Sequence, residues 1–95
     1  MHINIAIIDD KLSNRNIIRD KLLRNPNFKI TLIAEDGKDF LEKMKAIPAI
    51  DIPQVALMDL EMPKMDGVDA IAAGSSLYPS IKFVVLTIFD DEEKI

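Results

Sequence analysis

Val55-Ala56-Leu57-Met58-Asp59-Leu60-Glu61-Met62-Pro63-Lys64-Met65-Asp66-Gly67 passes from an apolar strand to a terminal acid and then into loop chemistry. Val55 to Met58 is a short unbroken apolar run, the pattern of a strand buried on both faces of a parallel sheet. Asp59 ends it. Pro63 and the Asp66-Gly67 pair then keep regular structure out of the following segment.

Toward the N-terminus the same arrangement recurs. Ile3-Asn4-Ile5-Ala6-Ile7-Ile8 is an apolar run rich in β-branched residues, and it stops at Asp9-Asp10. Ser13 offers an N-cap oxygen, with Leu12 and Ile17 spaced for a hydrophobic staple around it. This predicts a helix from about Asn14 to Arg24 that turns Ile18 and Leu22 inward and ends near Asn25-Pro26. Phe28 to Ala34 alternates as a strand, with Phe28, Ile30 and Leu32 expected on one face. Asp36 can cap the next helix, in which Phe40, Leu41, Met44 and Ile47 form an apolar stripe. Pro48 to Pro53 reads as a connection.

Toward the C-terminus, Val68, Ile71, Ala72 and Ser75 are spaced for a third helix stopped by Tyr78-Pro79. Its Ala70, Ala72, Ala73, Gly74, Ser75 and Ser76 are all small, and Gly74 alone costs about 1 kcal/mol relative to Ala inside a helix. Such a surface invites close contact with another helix. Ile81 to Thr87 is a fourth strand, and Asp90-Asp91-Glu92-Glu93-Lys94 suits the acidic first turn of a fourth helix. Strands alternating with helices predict an α/β fold, a parallel sheet covered on both faces.

Composition narrows the class. The 95 residues suffice for one domain with a small core. Hydrophobic residues make up 48% and charged residues 29%, ordinary for a soluble globular chain. Aromatics are only 5%, so the core must be largely aliphatic. Cysteine is absent, which removes disulfides and thiolate metal sites and suits a reducing cytoplasm. No apolar stretch approaches the ~20 residues of a membrane span, and the N-terminus lacks the pattern of a signal peptide. The net charge of −4 argues against nucleic-acid binding by this segment.

Three of the four expected strands end in a polar group: Asp9-Asp10, Asp59 and Thr87. Ligands of parallel α/β sheets bind beyond the carboxyl ends of the strands. If strands one, three and four are neighbours, these groups converge. Three close carboxylates repel one another, so they hold a proton or recruit a cation. With oxygen donors only, Mg²⁺ or Mn²⁺ is the natural guest. A carboxylate beside such an ion can accept a phosphoryl group, and a hydroxyl such as that of Thr87 can bind one of its oxygens. Each element alone has a plainer explanation. Paired Asp residues are commonly turns or caps, Asp66-Gly67 a turn, and Thr87 a strand residue. Met58, Met62 and Met65 suit packing, and His2 an exposed terminus. Their shared placement at one end of the strands favours the functional reading.

These residues resemble the response-regulator receiver family. The likeness lies in Asp9-Asp10, in Met58-Asp59-Leu60-Glu61-Met62-Pro63-Lys64-Met65-Asp66-Gly67, and in Val84-Val85-Leu86-Thr87, and it covers essentially residues 1–95. The resemblance implies a flavodoxin-like, doubly wound parallel sheet with strand order 2-1-3-4. It implies Asp59 as phospho-acceptor, Thr87 as switch hydroxyl, and Mg²⁺ held by Asp9, Asp10, Asp59 and the carbonyl of Glu61. A sensor histidine kinase or small phosphodonor would be the partner. The segment from Leu86 to Ile95 is similar to receivers joined to helix-turn-helix DNA-binding effectors, through which alone DNA would be contacted. By the same resemblance a complete receiver continues into a fifth strand, an active-site Lys and a last helix, so this one is incomplete at its C-terminus. An incomplete receiver would leave its fourth strand as an open edge, with the run Phe83 to Leu86 exposed. Self-association through that region is then expected.

Three other functions are weighed against this one. An Asp-nucleophile phosphohydrolase of the haloacid-dehalogenase type wants Asp-x-Asp after the first strand, whereas Asp9 and Asp10 are adjacent. A dinucleotide-binding module needs a glycine-rich first turn, and the only glycines are Gly37, Gly67 and Gly74. The third is a receiver fragment that self-associates without being phosphorylated.

Overall fold

The computed structural model describes residues 2–59, 74 and 76–86. Their elements run in the order β1 (Ile3–Ile8), α1 (Leu12–Leu22), β2 (Phe28–Ala34), α2 (Gly37–Ala46), a short 3₁₀ turn (Ala49–Asp51), β3 (Val55–Asp59) and β4 (Lys82–Leu86). Gly74, Ser76 and Leu77 are helical, and Tyr78 N–H closes that helix on the Gly74 carbonyl at 2.7 Å, ahead of Pro79 as expected. Residues 60–73 and 87–95 lie outside the described part. With them go the Glu61–Gly67 loop, the start of the third helix, Thr87 and the acidic turn after Phe89.

The four strands are parallel in the order β2-β1-β3-β4, as the resemblance implied. The chain steps one way from β1 to β2, then the other way through β3 to β4. Right-handed crossovers therefore place α1 on one face and α2 on the other. On the α2 face, Ala6, Ile8, Leu32, Ala34, Ala56 and Met58 pack with Phe40 and Met44 of the helix. The opposite face buries Ile5 and Ile7.

The helix α2 follows its sequence closely. The Asp36 carboxylate caps it, accepting from Asp39 N–H at 2.7 Å. Asp39 reaches back to accept from Glu35 N–H at 3.0 Å, a reciprocal arrangement of the capping-box kind. Phe40 and Met44 are buried, and Leu41 and Ile47 pack beside them. The Pro48–Pro53 connection is tied to β1 by Asn4, whose Nδ2 donates to the carbonyls of Ile50 at 2.9 Å and Ile52 at 3.2 Å.

Four expectations need correction. The helix α1 spans Leu12–Leu22, so Ser13 lies inside its first turn and Lys11 occupies the N-cap position without a side-chain bond. The Asp9 carboxylate takes over, accepting from Lys11 N–H at 2.9 Å and turning the chain into the helix two residues earlier than Ser13 would. Without an N-cap at Ser13 there is no staple: Leu12 is 62% and Ile17 49% exposed. Ile18 and Leu22 do turn inward, although they remain half-buried.

The second correction concerns β2. Its register against β1 slips between Ile5 and Ala6, so that Phe28 and Ile30 align with Ile3 and Ile5 while Leu32 aligns with Ala6. Thr31 is the extra residue. A one-residue insertion transfers the following side chains to the other face. Phe28 and Ile30 thus share the face of α1, and Leu32 that of α2.

The third correction concerns Gly74. A Cβ at this position would lie 2.5 Å from Cζ of Phe83. Its smallness therefore admits an aromatic ring of the sheet; of the other small residues of this helix only Ser76 is described. The fourth follows directly: Phe83 is half-buried, unlike Val84 and Val85. It packs on the core and meets Phe40 edge-to-face, with centroids 5.9 Å apart and planes at 84°. Val84 and Val85, at 42% and 39%, are exposed as expected, and β4 is an edge of the described sheet.

Candidate functional site

The carboxyl ends of β1, β3 and β4 lie side by side. Ile8 pairs with Met58, so Asp9 and Asp59 each stand one position beyond a matched pair on adjacent strands. Asp59 itself pairs with Leu86, the residue before Thr87 in sequence. Sheet order alone thus brings together the strand ends that carry the expected phospho-acceptor and its acidic partners. The backbone of Asp59 is described as the last residue of β3; its side chain, like Glu61 and Thr87, lies outside the described part.

Asp9 is 1% exposed. A buried carboxylate is stable only when its oxygens are well partnered. Beyond the Lys11 N–H bond, the main chain around it is pinned on both sides. Asp9 N–H extends the β1–β2 ladder to the Ala34 carbonyl at 3.1 Å, and Asp9 C=O accepts from Arg15 Nη1 at 2.7 Å. Asp10 follows in the loop. Its Oδ1 is buried and has no hydrogen-bond partner among the described residues.

An orphaned carboxylate oxygen beside a buried acid is the donor set that a hard divalent cation completes, because such ions take oxygen ligands and neutralise the repulsion. The residues present therefore fit Mg²⁺. Asp9, Asp10 and Asp59 would supply carboxylates and Glu61 a carbonyl. Among the described residues alone, no group of three such side chains comes together.

Beside the acidic loop, a cleft of about 120 Å³ opens at the carboxyl end of β2, lined by Arg15, Ile33, Ala34, Glu35, Asp39 and Lys43. Lys43 Nζ donates to the Ile33 carbonyl at 2.7 Å and lies 3.1 Å from Asp39. Burial raises the Asp39 carboxyl, but the Glu35 N–H, the hydrogen bond and charge of Lys43 and the charge of Arg15 together hold it below its ordinary value. Sequence reasoning passed over both Arg15 and Asn4. Arg15 resembles any exposed helical base, and only the Asn4 amide inside an apolar strand was a visible anomaly.

The family described as "Response regulator receiver domain" matches residues 5–95. Among curated proteins, the transcriptional regulatory protein DegU of Brevibacillus brevis is 37% identical over 93 residues, covering 98% of this chain and 38% of that protein. A protein-glutamate methylesterase/protein-glutamine glutaminase of Clostridium acetobutylicum is 33% identical, over 90% of this chain and 24% of the relative. The chain thus spans well under half the length of these relatives. Among solved structures, the receiver domain of the NarL regulator from Mycobacterium tuberculosis superposes with a TM-score of 0.79 at 28% identity, covering 94% of this chain and 68% of that one.

Proposed function

The chain belongs to the response regulator receiver family, and on that premise we propose that it is the phospho-acceptor of a two-component relay, with Asp59 receiving the phosphoryl group. The observation that carries this reading is buried Asp9 beside half-buried Asp10, whose Oδ1 is buried without a hydrogen-bond partner among the described residues, at the sheet edge next to the strand ending in Asp59.

In the proposed step an Asp59 carboxylate oxygen forms a bond to phosphorus while the bond from phosphorus to the donor breaks, its electron pair leaving with the donor. The donor is a phosphohistidine of a sensor kinase or a small acyl phosphate. Bound Mg²⁺ would neutralise charge on the transferring group. Asp9 and Asp10 would hold and orient that ion, with the Glu61 carbonyl, and the Thr87 hydroxyl would donate a hydrogen bond to a phosphoryl oxygen. Occupancy of Asp59 then biases the loops after β3 and β4 between two arrangements. The chain acts as a switch in the cytoplasm, with output left to an attached or separate effector. DegU suggests transcription and the methylesterase relatives a regulated enzyme; the first suits the resemblance at Leu86–Ile95.

Intact mass after incubation with acetyl phosphate and Mg²⁺ tests this. A hydroxylamine-labile gain of one phosphoryl group, lost in Asp59→Ala, is expected. No gain in a sample that circular dichroism shows to be folded refutes it.

A second reading, self-association through the fourth-strand region, is favoured by the position of β4 at an edge of the described sheet and by the exposure of Val84 and Val85 on its opposite faces. Light scattering should show a dimer at high concentration; a monodisperse monomer refutes it.

A further inference from the structure

We propose that Arg15 is the positioning residue of the acidic pair, fixing through the Asp9 carbonyl the peptide plane from which Asp10 presents its unpartnered oxygen to a divalent cation. This inference rests on the reading of Asp9 and Asp10 as metal-binding residues.

Asp9 and Asp10 share one peptide unit, made of the Asp9 carbonyl and the Asp10 amide. The Asp9 side of the loop is already held by the ladder bond to Ala34 and by the Lys11 N–H on its carboxylate. Nothing in those two contacts fixes the rotation of the Asp9–Asp10 peptide plane. The Arg15 guanidinium does, at 2.7 Å from the carbonyl oxygen, a length typical of charge-assisted bonds. Arg15 can reach because it lies in the first turn of α1, where side chains lean back toward the helix N-terminus. The plane sets the starting point of the Asp10 φ rotation, and hence where its carboxylate lands. The backbone is rigid to small shifts here, since Asp9 is buried in the sheet edge.

The guanidinium borders the cleft whose other charged walls are Glu35, Asp39 and Lys43. Asp39 is anchored there by Glu35 N–H and Lys43. Two acids face two bases, so the cleft has no net charge with which to hold an anion, and Arg15 is committed to the loop.

Positioning and simple electrostatics predict opposite signs. By charge alone, removing a cation next to a divalent-ion site tightens metal binding. If Arg15 positions Asp10, removing it weakens binding. Loss of an outer-shell partner that orients a ligand typically lowers metal affinity by about 10- to 100-fold.

The test is Mn²⁺ affinity at neutral pH, read from the free-ion paramagnetic resonance signal. It compares the native chain with Arg15→Met, Arg15→Ala, Arg15→Lys and Asp10→Ala, each shown to be folded by circular dichroism. Arg15→Met keeps the aliphatic stem and helix propensity, so it remains informative if Arg15→Ala unfolds. We expect Arg15→Met to bind about tenfold more weakly. Arg15→Lys, which keeps charge and donor, should recover most of the affinity, and Arg19→Ala, on the same helix but exposed, should match the native chain. Folded Arg15→Met binding as tightly as native, or more tightly, while Asp10→Ala does not bind, overturns the positioning role alone. Failure of the native chain to bind Mn²⁺ overturns the metal site and this inference with it.

Discussion

Gly74→Ala should destabilise the protein, against the usual expectation for a glycine in a helix. Ala gains about 1 kcal/mol over Gly in a helix interior. The added Cβ, however, would sit 2.5 Å from Cζ of Phe83 and 3.1 and 3.2 Å from the two Cε atoms. Carbon atoms attract best at about 3.5–4.0 Å, so the overlap is roughly 1 Å. The ring cannot simply swing away, because Phe40, fully buried, holds it edge-to-face. Overpacking of this kind costs about 1–3 kcal/mol. The net loss is then about 1 kcal/mol, or a fall of about 4–8 °C in Tm for a chain of this size. Urea unfolding followed by circular dichroism measures it. The decisive comparison is a cycle with Phe83→Leu, a side chain that does not fill the space under residue 74. In that background Gly74→Ala should become neutral or stabilising. A stabilising Gly74→Ala in the native background, or additive effects in the cycle, would refute the packing argument.

Asp36→Ala removes the α2 cap and strands the Asp39 N–H, so thermal unfolding should show a loss of about 1 kcal/mol. The acid limb of stability should depend on Asp39. Its carboxyl is held below the ordinary value in the folded state, so its contribution is complete above the unfolded pKa and disappears as pH falls through the folded one. Unfolding curves of native and Asp39→Asn protein should therefore converge below about pH 4, the native advantage being confined to higher pH. An advantage that persists undiminished in acid would count against this assignment.

The strands were legible because each is an apolar run with a definite stop. β1 and β2 have the bounds their sequence suggests, and Asp36 followed by the Phe40–Met44 stripe marks α2 plainly. Periodicity could not reveal the slip at Thr31, since an inserted residue leaves local composition unchanged while reversing what lies inward. Ser13 misled for a similar reason. A cap is chosen by where the chain turns, and here the buried Asp9 carboxylate makes the turn earlier. At the candidate site, the acids could be read from the strand ends. The hold of Arg15 on a main-chain carbonyl could not, because carbonyls leave no mark in a sequence. The small residues before Tyr78 were visible, but only the position of Phe83 shows what the smallness of Gly74 makes room for.

The extra residue at Thr31 divides β2 into two segments of opposite phase. Phe28 and Ile30 answer to the layer of α1, Leu32 and Ala34 to that of α2, although all four carry even numbers. A polar scan along this strand would therefore report two different neighbourhoods joined at one phase break. Deleting Thr31 would not shorten the strand so much as invert half of it, setting either Phe28 and Ile30 or Leu32 and Ala34 against the wrong partner layer. Within this edge strand, tolerance to substitution and tolerance to deletion are separate properties, and only the second depends on the count of residues between Ile30 and Leu32.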